Sequence, residues 1–83
     1  MISIKVLGSG CANCKRLEQI ARKVVGQLAI DAEVEKVTDY QEIMDYGVLS
    51  TPGLVINEKI VSSGRIPTEA EITTWIVGVL ETE

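Results

Sequence analysis

Two cysteines stand three residues apart in Cys11-Ala12-Asn13-Cys14, and they are the only cysteines in a chain of 83 residues. They fall where a short apolar segment gives way to a strongly amphipathic one, so the pair lies at a helix start. Thiols at this spacing can close a disulfide and reopen it, and the first chemistry they suggest is redox. A permanent staple would be a poor use of them, because closing so short a loop removes little entropy from the unfolded chain. The same two sulfurs offer a second chemistry. Two thiolates can hold Cu(I) linearly, and a thiophilic oxyanion such as arsenite could bridge them. A tetrahedral zinc site is weaker, since two cysteines and no histidine leave the coordination sphere half empty.

The elements around the pair follow from periodicity. Ile2, Ile4, Val6 and Leu7 make a short strand that ends at the turn Gly8-Ser9-Gly10. Leu17, Ile20, Ala21, Val24, Val25 and Leu28 recur at helical spacing, with Lys15, Arg16, Glu18, Arg22 and Lys23 largely opposite, which predicts a half-buried helix. Residues 32 to 37 alternate as a second strand anchored by Val34 and Val37. Thr38 and Asp39 can then cap a short helix from Tyr40 to Tyr46, closed by Gly47.

The second half opens with Ser50-Thr51-Pro52-Gly53. The run Leu54-Val55-Ile56, a turn at Asn57-Glu58 and the run Lys59-Ile60-Val61 predict a hairpin. Thr68-x-x-Glu71 is a capping box, and Ile72, Trp75, Ile76, Val79 and Leu80 mark the buried stripe of a last helix. The order is β-α-β-α-β-β-α. Its first unit requires parallel strands and its hairpin antiparallel ones, so the expected architecture is α/β, a four-stranded mixed sheet flanked by three helices.

Composition narrows the class. Charged residues are 24% and apolar residues 46% of the chain, ordinary for a globular protein and outside the disordered range. The length suits one domain over residues 1–83, with no repeat, low-complexity segment or linker. A net charge of −4, with no cationic cluster beyond Lys15-Arg16, argues against nucleic acid as a partner. No run approaches the length of a membrane span, and Met1-Ile-Ser-Ile-Lys-Val-Leu reads as a strand rather than a signal peptide. The expected compartment is therefore the reducing cytoplasm, where a Cys-x-x-Cys pair is catalytic, redox-sensing or metal-binding.

The element order, the Cys-x-x-Cys between first strand and first helix, and Thr51-Pro52 opening the third strand together resemble the thioredoxin superfamily in its glutaredoxin-sized form. Gly8-Ser9-Gly10-Cys11 is similar to the turn of the small prokaryotic "redox-active disulfide" members, and the resemblance spans essentially the whole chain. It implies a thioredoxin-like fold and a thiol-disulfide oxidoreductase, a protein disulfide reductase or electron carrier without a bound cofactor. Disulfide-bearing client proteins and a flavoprotein of the thioredoxin-reductase type are the implied partners, and a monomer is the expected state.

Within that frame the residues take separate roles. Cys11 would sit at the helix N-cap, where the amides of Asn13 and Cys14 point toward its sulfur and the helix dipole favours negative charge. A stabilisation of roughly 1–2 kcal/mol would bring a thiol of ordinary pKa about 8.5 down by about a unit or more, making Cys11 the attacking thiolate. Cys14, one turn further in, would be more buried and serve as the resolving thiol. Lys15, the nearest cation in sequence, and Asn13 are the candidate tuning residues, the alternative for Lys15 being a solvated surface lysine. The resemblance implies that Pro52 follows a cis bond and packs on the disulfide, leaving the backbone of Thr51 to bind an extended substrate. Val48, Leu49 and Ser50 are expected to form the adjoining rim.

This chain departs from the typical pattern at three places. Gly10 stands where thioredoxins carry a tryptophan, and Trp75 instead falls on the stripe of the last helix. Lys5 stands where they carry a buried aspartate; a cation there could help hold a thiolate, but the favoured expectation is that it snorkels out from the sheet. Ser63-Gly64-Arg65-Ile66 keeps one glycine of the pair with which glutaredoxins bind glutathione, which disfavours that tripeptide as a partner. Gly8-Ser9-Gly10-Cys11-Ala12-Asn13-Cys14 also fits the local pattern of copper-handling domains, but their β-α-β-β-α-β order does not fit the short helix and Thr51-Pro52 that follow the second strand. An adaptor that keeps the fold and loses the chemistry is a third reading.

Overall fold

In the computed structural model, which describes residues 2–8, 12–48 and 50–82 (Thr82 by its backbone alone), the alternation of the first strand sets the layers. Strand β1 (Ile2–Leu7) turns Ile2, Ile4 and Val6 to one face of the sheet and Ser3, Lys5 and Leu7 to the other. It is followed by α1 (Ala12–Leu28), β2 (Ala32–Val37), α2 (Tyr40–Asp45), β3 (Gly53–Ile56), β4 (Lys59–Ser63) and α3 (Glu69–Thr82). The sheet has the order β2-β1-β3-β4, with β1 parallel to β2 and antiparallel to β3, and β3 antiparallel to β4. Both the element order and the mixed sheet agree with the reading of the sequence.

The main core lies on one face, where Ile2, Ile4, Val6, Leu54 and Ile56 meet Leu17, Ala21 and Val24 of α1 and Ile72 and Ile76 of α3. Ile20, Val25, Leu28 and Trp75 pack against it partly buried, so the tryptophan is a core residue as its position on the stripe implies. Leu80 departs from the expected stripe and is exposed. It lies in the last turn of α3, four residues beyond Ile76, the last fully buried residue of that helix.

The opposite face holds a smaller core of Leu7, Val37, Ile43, Val48 and Val55, with Tyr46 at its edge. Its helix α2 is only six residues long. Asp39 caps it by accepting from the backbone N–H groups of Gln41 and Glu42, and Gly47, at φ 78°, closes it through its own N–H to Met44 O at 2.8 Å. The box at the start of α3 is also formed: Glu71 N–H donates to Thr68 Oγ1 at 3.1 Å, and Thr68 N–H to Glu71 Oε1 at 3.1 Å.

The β3–β4 hairpin turns on Asn57 and Glu58, at φ 49° and 68°, the left-handed pair a type I′ turn requires. Asn57 suits that region and also ties the turn to β1, its Oδ1 accepting from Ser3 N–H at 2.9 Å. Glu58 does not suit it. The position would ordinarily be glycine, and the reason for a glutamate there is its carboxylate, described below.

Candidate active site

Gly8, Cys14 and the distant Thr51-Pro52 segment meet at the end of the sheet where β1 and β2 finish. Gly8 follows the last residue of β1, and its N–H donates to Val37 O, the last residue of β2, at 3.0 Å. Cys14 lies in the first turn of α1 and is 4% exposed, its burial continuing the stripe of Leu17, Ala21 and Val24. Its sulfur is engaged in a disulfide. A Cβ placed on Gly8 would collide with Cys14 Sγ and would lie 3.2 Å from Cys14 Cβ and 3.7 Å from Thr51 Cβ. The bare backbone of Gly8 is thus the floor on which Cys14 and Thr51 come together.

The Thr51–Pro52 bond is cis, as the resemblance implies. Pro52 is buried and Thr51 exposed, and among the described residues the backbone N–H and C=O of Thr51 take no hydrogen-bond partner. From the other side the segment is held by Gly64, whose N–H donates to Pro52 O at 3.0 Å. Gly64 adopts φ 75°, and a Cβ there would stand 3.0 Å from Ser50 Cβ, so this turn fits against residues 50–52 only as glycine.

The other expected site residues divide. Asn13 and Lys15 are exposed beside Cys14, and Lys15 makes no ion pair among the described residues. Cys11 and Leu49 lie outside the described residues. Ser50 is exposed as a rim residue would be, but Val48 is not part of a rim. It is buried in the smaller core with Leu7 and Val55, because β3 begins in the middle of the sheet and the residues leading into it must cover that face.

Lys5 does leave the sheet, and it goes to a definite place. Its Nζ donates to Tyr46 Oη at 2.9 Å and to Glu58 Oε1 at 2.8 Å, and Tyr46 Oη donates to Glu58 Oε2 at 2.8 Å. The Glu58 carboxylate, followed by the tyrosine hydroxyl, holds the Lys5 ammonium above its ordinary range, and the bonds that Glu58 accepts from Lys5 and then from Tyr46 hold it below the usual carboxylate range. The charge is therefore spent on the smaller face rather than on the cysteines. Arg65, near the retained glycine, is likewise committed: it grips Glu71 in two bonds of 3.1 and 2.8 Å, which with the Thr68 N–H hold Glu71 at about 2.

The sequence reading named the cysteines and Thr51-Pro52 but missed Gly8 and Gly64 as parts of the site. The only signal for either was a glycine at an element end, and glycines there serve ordinary turns as well. As for metals, no group of three or more histidine, cysteine, aspartate or glutamate residues able to hold an ion occurs among the described residues. The observed element order is also not that of the copper-handling domains. No helix among the described residues is long and apolar enough to cross a membrane.

A β2-β1-β3-β4 mixed sheet with the Cys-x-x-Cys sequence running into the first turn of α1 and a cis proline opening β3 defines a thioredoxin-like α/β fold. The family described as Thioredoxin domain matches residues 2–77, and the chain belongs to it. A protein named Thioredoxin from Methanothermobacter thermautotrophicus is 40% identical over 72 residues, 87% of this chain and 94% of that one. Another Thioredoxin, from Methanocaldococcus jannaschii, is 40% identical over 81 residues, 98% of this chain and 93% of that one. A Probable Thioredoxin from Archaeoglobus fulgidus is 33% identical over 80 residues, with 92% and 87% covered. The molecule is accordingly a thioredoxin-like redox protein.

Proposed function

We propose that the protein is a dithiol-disulfide oxidoreductase that reduces disulfides in client proteins, acting as a single cytoplasmic domain over residues 1–83 and as a monomer. Cys11, directly before α1, is the nucleophile. Its thiolate attacks one sulfur of the client disulfide, forming a mixed disulfide and releasing the first client sulfur as a thiolate. Cys14 then attacks Cys11 in the mixed disulfide, the second client sulfur leaves, and the protein carries the new disulfide. Two electrons and two protons have passed to the client. A flavoprotein of the thioredoxin-reductase type restores the dithiol.

The observation that carries this reading is the meeting at Gly8 of the Cys14 sulfur and Thr51. A client strand pairing with the backbone groups of Thr51, which have no partner among the described residues, would lie beside Cys14, so that main-chain hydrogen bonds hold the segment while the sulfurs react. Asn13 and Lys15, exposed beside the buried Cys14, tune the thiolate.

A redox titration against dithiothreitol buffers, with free thiols counted by alkylation and mass, tests it. A reversible two-electron step in roughly the −270 to −200 mV range of thioredoxins and glutaredoxins is expected, with Cu(I) held weakly by the reduced form. Cys11→Ser should abolish insulin-disulfide reduction, and Cys14→Ser should trap the mixed disulfide. Tight one-to-one Cu(I) binding with no disulfide cycle would overturn the proposal.

A further inference from the structure

We propose that Gly8 is a positioning residue for the cysteine pair: only a residue without a side chain at the end of β1 lets the Cys14 sulfur seat below the surface beside Thr51, and that seat stabilises the disulfide form. The collision that a Cβ at position 8 would make is with Cys14 Sγ itself, while the next contacts, 3.2 Å to Cys14 Cβ and 3.7 Å to Thr51 Cβ, are milder. None of the three partners can move away freely. Gly8 is pinned by its N–H to Val37 O and by the pairing of Leu7 with both Val37 and Gly53. Cys14 stands one turn before the fully buried Leu17, and Thr51 is tied through buried Pro52, whose carbonyl accepts from Gly64.

The two redox states feel that restriction differently. In the disulfide, Cys14 Sγ is bonded on both sides, and its rotamer is dictated by the ring it closes. A reduced thiol can turn about χ1 into another staggered well and escape. A methyl group at position 8 therefore raises the free energy of the disulfide more than that of the dithiol and makes the protein a stronger oxidant. The balance is simple: in the titration, dithiothreitol gives two electrons and two protons to the disulfide, yielding two thiols and its own cyclic disulfide.

The test uses Gly8→Ala in three backgrounds. In the otherwise unchanged protein the dithiothreitol equilibrium should move toward the dithiol by about tenfold or more, corresponding to a rise of about 30 mV for a two-electron couple. This arm rests on the redox reading above. In Cys11→Ser, where Cys14 is the only thiol, alkylation of Cys14 under native conditions should become several times faster, because its sulfur is displaced outward. That arm needs no redox cycle, so a wild-type protein that fails to titrate would sink the proposed function while leaving the Gly8 proposal open to this readout. In Cys14→Ala, which removes the sulfur, the loss of melting temperature caused by Gly8→Ala should shrink to less than half. Any strain from φ 159° at position 8 is common to both backgrounds and cancels in the cycle. Should Gly8→Ala alone fail to fold, its rescue by Cys14→Ala supports the proposal. An unchanged potential and alkylation rate, or an equal loss of stability with and without the sulfur, overturns it.

Discussion

The two faces of the sheet are built on different principles. Under α1 and α3, β1 and β3 present Ile2, Ile4, Val6, Leu54 and Ile56 to a continuous apolar layer, and ten residues of that layer are essentially inaccessible. Under α2 the apolar set is half as large, and the space beside it is taken by a polar network in which Lys5, Tyr46 and Glu58 bond one another. A 17-residue helix and a 14-residue helix can cover a sheet face without polar help, whereas a six-residue one cannot. The smaller face therefore adds hydrogen bonds across elements at the edge of a less extensive apolar core. The candidate site lies where the faces share an end: Cys14 arrives with α1 from the larger, and Thr51 follows Val48 from the smaller.

Truncating one anchor on each face is the sharpest way to break this contrast. Leu17→Ala, at a site with no exposure, should lose stability at the upper end of the 2–5 kcal/mol typical for such deletions, about 4–5 kcal/mol, and Ile43→Ala, at the looser face, about 2–3 kcal/mol. Urea denaturation of both variants checks the order, and equal losses would erase the distinction. Next in size is the cap of α3. Thr68→Ala should lose about 1 kcal/mol in the same assay, since it removes the hydroxyl that receives Glu71 N–H.

The charged groups give the comparison a pH dependence. Glu71 is held at about 2 against an ordinary 4.5, so its contribution is complete above about 4.5 and disappears as the pH falls toward 2. Glu71→Gln should flatten the acid limb of a plot of melting temperature against pH. The network on the smaller face works at both ends. Glu58, lowered from 4.5, loses its contribution on acidification, and Lys5, raised from 10.5, keeps its contribution below that value and loses it as the pH rises beyond. Lys5→Met should remove the alkaline decline with little change at neutral pH, because these groups are solvent-screened and exposed pairs contribute little. A large loss at pH 7 would show that the network carries the smaller face rather than trimming it.

The smallest expected effect is at Ala29, which ends α1 at φ 52° with its N–H on Gly26 O at 3.3 Å. An alanine there bears about 1 kcal/mol of backbone strain that glycine avoids, so Ala29→Gly should raise the denaturation midpoint slightly. A drop would mean that the strain is already relieved elsewhere on the larger face.

Much of the molecule is local enough to be legible in a linear chain. The helices and strands follow from spacings of two, three and four residues, and Asp39, Gly47 and the Thr68–Glu71 box act within a single turn. The cysteines and Thr51-Pro52 announce themselves by residue type at element boundaries. These are short-range properties, and tertiary contacts had only to agree with them.

Contacts that depend on register across the sheet were not legible. Lys5 finds Tyr46 and Glu58 at separations of 41 and 53 residues, and nothing in its local sequence distinguishes that outcome from a free lysine. Val48 is buried because the chain must cover β3 on its way in, and Leu80 is exposed because the core ends before α3 does. Sequence by itself determined which elements form and which residues are candidates for the chemistry, since both are written in spacing and residue type. Only the tertiary structure decided that Gly8 must be bare, because that requirement exists solely where β1, α1 and the Thr51-Pro52 segment converge on one sulfur.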